Sequence, residues 1–400
     1  MAEKELPKGI TRRSDGRYMG RFMYAGERYT LYDTNVKRLK KAMEDKRYEL
    51  EHGLYGKGDK IRLDKWFEEV IEVYKKPVLK ESTLVHYQVY YRLYIKEALG
   101  NKYIKDIKSM HIQKLYNNMK AKGYKTNTVK KVANIIRIIL EQAVMCNLIM
   151  KNPCLAVTLP RADTKKKEIL TEEEQKRFLE FVQNSKQWRQ YYPLFLVGFG
   201  TGMRIGEILA LNWGDIDFIN GVIRVNKTLQ YLQSEVDKKC RYVIQTPKTS
   251  SSIRTIPMVS QLVEILKKHW EEQHTQIIYL GDAWQKNGEK LLRNLVFTTR
   301  FGNPMDRNSV NRSISSIIRD LNKEGEEKAK KENSQYVPIK DFSPHCMRHS
   351  FATRCFEAGI EPKIIQMYMG HSTLAVTMDI YTHVSENGKK EEIKKIEKAV

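Results

Sequence analysis

The sequence predicts an α+β protein of several domains. A small three-stranded sheet with one helix is expected over residues 1–55 and an all-helical region over 61–160. A mainly helical region with a small antiparallel sheet is expected over 168–400. Three observations predict this. Four hundred residues exceed one ordinary core. The apolar period changes from two near the N-terminus to about 3.6 beyond residue 60. Residues 55–60 (YGKGDK) and the charged stretch 161–168 then read as joints between the regions.

In the first region, Ser14, Asp15 and Gly16 signal a turn, and residues 17–24 alternate. Arg17, Met19, Arg21 and Met23 share one face; Tyr18, Gly20, Phe22 and Tyr24 share the other. Ala25 and Gly26 lead to a second strand over 28–32, and Asp33-Thr34-Asn35 can cap a helix over 36–52. In the second region, helices are expected over 63–75, 80–99, 109–122 and 126–145. The last keeps Val129, Val132, Ile136, Ile139 and Leu140 on one side and Lys130, Lys131 and Arg137 on the other. In the third, Thr171 and Glu174 form a capping box that opens a helix. Helices follow to residue 211, strands lie between 215 and 258, and helices return from 260. Residues 322–335, nearly all charged or small and polar, read as an exposed helix end or a mobile loop. A charged helix over 386–400 closes the chain, with Ile393, Ile396 and Val400 on one stripe that needs a surface to bury against.

The chain carries 71 Lys and Arg against 48 Asp and Glu, a net charge of +23. Residues 61–160 alone hold 18 basic and 8 acidic side chains, out of proportion to their length. Such an excess favours a polyanion, most simply nucleic acid, and a helical region with basic outer faces suits clamping a duplex by its phosphates. Strands can enter the major groove, which makes Arg17 and Arg21 candidate DNA contacts in the first region; Lys130, Lys131 and Arg137 are the candidates in the second. The competing reading of the first region is an ordinary folded appendage. No run of eighteen apolar residues suggests a membrane span and no apolar N-terminal stretch suggests a leader. The five cysteines, none in a CxxC pair, suit a reduced, cytoplasmic protein.

Four segments carry candidate chemistry, in this order: residues 201–211 (TGMRIGEILAL) with Arg204 and Glu207; residues 246–257 (TPKTSSSIRTIP), read as a β-hairpin with Lys248 near its turn; residues 344–352 (PHCMRHSFA) with His345 and Arg348; and residues 369–372 (MGHS) with His371, followed by Thr377, Tyr381 and His383. Two guanidinium forks can hold phosphate oxygens with paired, charge-assisted bonds. His345, three residues before Arg348, can face the same site on one helical turn. A tyrosine with an ordinary pKa of about 10 needs an electropositive site to act as a nucleophile. His345 and His349 are spaced for zinc on a helix, but no HExxH glutamate accompanies them, and no metal is expected.

The ordered set of Arg, Lys, HxxR, Gly-His and Tyr resembles the tyrosine recombinase (integrase) family. The N-terminal layout is similar to that of conjugative-transposon and temperate-phage integrases. The resemblance implies a site-specific recombinase with Tyr381 as nucleophile and Lys248 as general acid. It implies His345 as general base or positioning group, His371 as a donor to phosphate, Glu207 as structural support and His383 packed near the tyrosine. It implies no cofactor, because a phosphotyrosyl link conserves the energy of the cut bond. It further implies arm-type DNA sites for the first region and core-type sites for the second. The assembly would be a homotetramer on double-stranded DNA, with an excisionase and a host DNA-bending protein as partners. The tail helix would dock on its own domain or on a neighbouring protomer. Same-chemistry alternatives are a chromosome-dimer-resolving recombinase and a type IB topoisomerase; a non-catalytic DNA-binding regulator is the alternative of another class.

Overall fold

A computed structural model describes residues 6–24, 26–51, 61–161, 169–233, 239–247, 250–284 and 292–381. Lys248, His383 and the helix expected over 386–400 lie outside them, as does the side chain of Tyr381. The chain divides into two compact units, Met1–Thr164 and Lys165–Val400.

In the first unit, β1 (Ile10–Arg12), β2 (Tyr18–Tyr24) and β3 (Glu27–Asp33) form an antiparallel sheet with β2 central, packed against α1 (Val36–Glu51). Phe22 on β2 is buried with Leu39, Met43 and Leu50 of α1, as the two-residue period requires. Asn35 caps α1 by accepting from the Lys37 and Arg38 amides at 2.9 and 3.3 Å. The strand expected from Arg17 begins instead at Tyr18, because Asp15 ties Arg17 into the preceding turn.

The helical part comprises α2 (Leu63–Glu69), α3 (Glu81–Tyr90), α4 (Ser109–Ala121) and α5 (Thr126–Met145). The first two expected helices are not α-helical to their ends. They continue in wider π-type turns over Val70–Lys75 and Tyr91–Gly100, which still bury Val70, Ile71, Ile95 and Leu99. Five apolar side chains of α5 (Val129, Val132, Ile136, Ile139 and Leu140) are at most 1% exposed. Each contributes about 2 kcal/mol through area removed from water. Trp66 of α2 locks onto α5 by donating from Nε1 to the Ile139 carbonyl at 3.0 Å.

The second unit holds α6 (Glu172–Asn184), α7 (Tyr192–Thr201), α8 (Ile205–Ile208), β4 (Ile216–Asp217), β5 (Val222–Val225), β6 (Thr228–Gln233), β7 (Cys240–Gln245), β8 (Arg254–Pro257), α9 (Ser260–Leu280), α10 (Arg307–Glu332), α11 (Pro344–Glu357), α12 (Pro362–Met369) and α13 (Leu374–Tyr381). The Thr171–Glu174 box caps α6 as its spacing predicts. Phe178 of α6 sits in the main core, its ring edge-on to Phe195 and Phe342 at 5.1 Å each. A smaller core of Ala352, Cys355, Phe356, Ile365, Met369 and Ile380 joins α11, α12 and α13.

One expectation is corrected. The strands flanking Lys248 do not form a hairpin: β7 pairs with β6, whereas β8 pairs with β5 in a separate sheet ordered β4-β5-β8. Of the two readings of residues 322–335, the helix end holds: 322–332 are the last turns of α10, which ends at Asn333 in a left-handed conformation. Burial of Ile314, Ile317, Leu321 and Ala329 along one face carries the helix through its charged stretch.

Candidate active site

Four segments of the second unit meet at a cluster of arginines. Gly202 ends α7 with φ +62°, a left-handed value open to glycine at little cost, and a Cβ there would lie 2.3 Å from the Phe351 ring. This turn places Arg204 at the start of α8. Arg204 Nη1 donates to Glu207 Oε1 at 2.8 Å, and Nη2 donates to the Gly370 carbonyl at 3.2 Å. Its side chain is 39% exposed, so one flank of the guanidinium faces solvent.

Arg348 on α11 is 1% exposed and spans two turns of backbone. It donates from Nη1 to the Gly202 carbonyl at 2.7 Å and from Nη2 to the Met369 carbonyl. Arg254, the first residue of β8, has a side chain only 6% exposed. It donates to Glu207 Oε2 at 2.8 Å, to the Tyr368 carbonyl at 2.6 Å and to the Ser252 carbonyl at 2.9 Å. Three guanidinium groups thus grip three consecutive carbonyls, Tyr368, Met369 and Gly370, at the C-terminus of α12. That is the negative end of the helix and the place where unpaired carbonyls need donors. Gly370 reverses the chain there with φ +61° and presents His371.

The electrostatics follow from burial and crowding. Burial alone would raise the Glu207 carboxyl, but the Arg254 hydrogen bond and charge, with Arg204, hold it below the usual carboxylate range. Arg348 is pushed down to about 9 by burial and by its neighbours Arg204 and Arg254, and remains charged at neutral pH. His371 is pushed down to about 3 by burial, then by Arg348, Arg204, His349 and Arg254, and is neutral. Among the described residues Glu207 is thus the single carboxylate bonded to two of the three clustered arginines, and the centre can accept an anion at its Arg204 side.

The structure brings Arg204, Glu207, Arg348 and His371 together, as their sequence segments suggest. His345 lies one turn before Arg348 but on the exposed side of α11, its ring edge-on to His349 at 4.6 Å. His349, given no place in the sequence pattern, is near enough to His371 to oppose its protonation. Arg254 was also missed; its only sequence signal is a cation among the apolar residues of a short strand. Tyr381 ends α13, just after the buried Ile380. Among the described residues, no group of three or more His, Cys, Asp or Glu could hold a metal ion, and no helix is long and apolar enough to cross a membrane. A cavity of about 580 Å³ in this unit, lined by Trp213, Trp270 and Trp284, contains none of these residues.

In the first unit, Lys130 and Lys131 line a shallow groove with His86, Tyr87, Asn127 and Asn134. Arg137, exposed, lines a separate groove beside Glu141 and Lys151. Arg21 is exposed on β2, whereas the Arg17 guanidinium is bonded to Asp15 at 2.8 and 3.1 Å.

Comparison with known proteins gives first the class and then the family. Residues 168–387 match the phage integrase family, and residues 63–120 match the phage integrase N-terminal SAM-like domain. The chain belongs to the phage integrase family and is a tyrosine-type site-specific DNA recombinase. It is 33% identical to a XerC-like tyrosine recombinase of Caldanaerobacter subterraneus, over 80% of this chain and 77% of that one. It is 25% identical to the transposase of transposon Tn916 from Enterococcus faecalis, over 98% of this chain and 95% of that one. The structure of the Tn1549 transposon integrase in complex with transposon right end DNA matches 84% of this chain and 99% of that one. The TM-score is 0.69 at 25% identity.

Proposed function

We propose that this recombinase inserts and excises a mobile element, and that the arginine centre holds the phosphate being cut. The observation that carries this is three clustered guanidiniums, two of them bonded to one carboxylate, with Arg204 half open to solvent. A phosphodiester supplies the missing negative charge, and the preset arginines stabilise the charge that builds on its oxygens in the transition state. In this reading Tyr381 Oη attacks phosphorus, the bond to the 5′ oxygen breaks, and Lys248 gives that oxygen its proton. The product is a 3′-phosphotyrosyl link and a free 5′-hydroxyl, and attack by a new 5′-hydroxyl reverses the step. His345 takes or positions the tyrosine proton, His371 donates a hydrogen bond to phosphate, and Glu207 braces Arg204. The DNA strand is substrate and energy store together, so the step balances without a cofactor.

The domain roles extend this reading. Residues 61–160 clamp the core site through Lys130, Lys131 and Arg137, and residues 1–55 read arm-type sites with Arg21 and, once Asp15 releases it, Arg17. The match to the Tn916 transposase extends over the N-terminal unit as well, which favours an element integrase over a chromosome-dimer resolvase. Exchange between two duplexes cuts four strands, one nucleophile for each, so a homotetramer is the working assembly. An excisionase and a host DNA-bending protein set direction. The test is a nicked duplex bearing the ends of the element, from which the cut strand escapes. The expected result is a covalent adduct through Tyr381 to a 3′ phosphate, absent in Tyr381→Phe. No adduct, or one that survives Tyr381→Phe, overturns the proposal and favours a DNA-binding regulator or another nucleophile.

A further inference from the structure

His371 Nδ1 lies 2.9 Å from the hydroxyl of Thr377, a side chain with no exposed surface. Among the described residues this imidazole nitrogen is the only hydrogen-bond partner of that hydroxyl. Two arrangements satisfy the distance. If the ring donated from Nδ1, the hydroxyl hydrogen would be buried without an acceptor, which proteins rarely tolerate. If the hydroxyl donates to Nδ1, both groups are satisfied and the ring proton sits on Nε2. An imidazolium is the remaining possibility, and it is opposed by burial and by the nearby Arg348, Arg204 and Arg254.

We propose that Thr377 is a positioning residue for the reaction: by donating to His371 Nδ1 it fixes the neutral tautomer with hydrogen on Nε2, leaving His371 a hydrogen-bond donor towards the reacting phosphate. This rests on the reading of His371 as a phosphate donor. A ring flipped to the other tautomer would present a lone pair to an anion and repel it. Thr377 also stands one helical turn before Tyr381 on α13, so the two share a face of that helix. The bond therefore ties the Gly370–His371 turn, already gripped by three arginines, to the helix that carries the nucleophile. A threonine four residues before a tyrosine thus serves the centre without touching the substrate.

The experiment uses the full chain labelled with ¹⁵N at its nine histidines. The imidazole nitrogen shifts at neutral pH report the tautomer, and the His371 signals are assigned by their loss in His371→Ala. Single-turnover cleavage of the nicked duplex is measured in parallel at saturating DNA. The wild type and Thr377→Ser are expected to show hydrogen on Nε2 and to cleave at similar rates. Thr377→Val is expected to show a mixed or reversed tautomer and to cleave on the order of tenfold more slowly, with DNA affinity unchanged. An Nδ1-protonated ring in the wild type, or a Thr377→Val chain with the wild-type tautomer and rate, overturns the proposal. Wild-type cleavage by His371→Ala would overturn the role of His371 itself, and the histidine spectra would still decide whether Thr377 sets its tautomer.

Discussion

Lys130 and Lys131 stand along a groove of α5, and Lys131 is exposed, with its ammonium over the Tyr90 ring at 5.8 Å. Arg348, by contrast, is buried and the Arg254 side chain is only 6% exposed, and each is bonded to two backbone carbonyls that fix its plane. Both regions are cationic, but they are built for different tasks. A hydrated ammonium on a flexible stem attracts any phosphate in reach and tolerates a range of positions. A buried guanidinium held by carbonyls and a carboxylate presents charge at one place and needs no reorganisation when a transition state forms. The difference suggests that the helical unit supplies affinity and the arginine centre supplies rate.

Breaking the second region should cost most. Arg254→Met removes one of two arginines from a 4%-exposed carboxylate and frees two carbonyls. An expected loss of about 3 kcal/mol, read from denaturant unfolding, follows from stranding buried polar groups. Arg254→Met with unchanged stability would show that the clamp on α12 is redundant.

A smaller effect is expected with pH. His371 has its pKa lowered from 6.5 to about 3 in the folded chain, so between those values the unfolded chain binds more protons. Stability should therefore fall as pH drops from about 6.5 towards 3. The contribution is about 2 kcal/mol, less than the full shift implies because solvent on the Arg204 side screens it. His371→Asn should flatten this acid limb relative to the wild type; an unaltered slope would mean that His371 is not held neutral. The smallest effect belongs to the groove. Lys130→Ala with Lys131→Ala should weaken DNA binding by about tenfold and reduce the slope of log K against log salt by about 1.8. The same slope in the double variant would remove both lysines from the DNA interface.

Much of this contrast is legible in the sequence, but unevenly. The face of α5 follows from a 3.6-residue period, and the cap of α6 from Thr171 and Glu174, because both are local rules. Arg204, Arg348 and His371 stand out as chemistry-bearing residues in a fixed order, and folding gathers them. The partner of β8 is not local: nothing in residues 246–257 states that the strand pairs with β5 rather than β7. Arg254 went unrecognised for the same reason, since its partners lie on α8 and α12, over forty and a hundred residues away. The charged end of α10 stays open between helix and loop in the sequence, because the buried face that sustains the helix is set by tertiary packing.

The division between affinity and rate is tested most directly at Arg204, the member of the centre open to solvent. Single-turnover cleavage of the nicked duplex is followed against DNA concentration for Arg204→Ala and for the Lys130→Ala, Lys131→Ala pair. The account predicts that excess DNA restores the lysine variant to the wild-type plateau. The plateau of Arg204→Ala should stay lower by on the order of 1000-fold, with half-saturation little changed. Recovery of Arg204→Ala at high DNA concentration would contradict it, because that arginine would then serve binding alone.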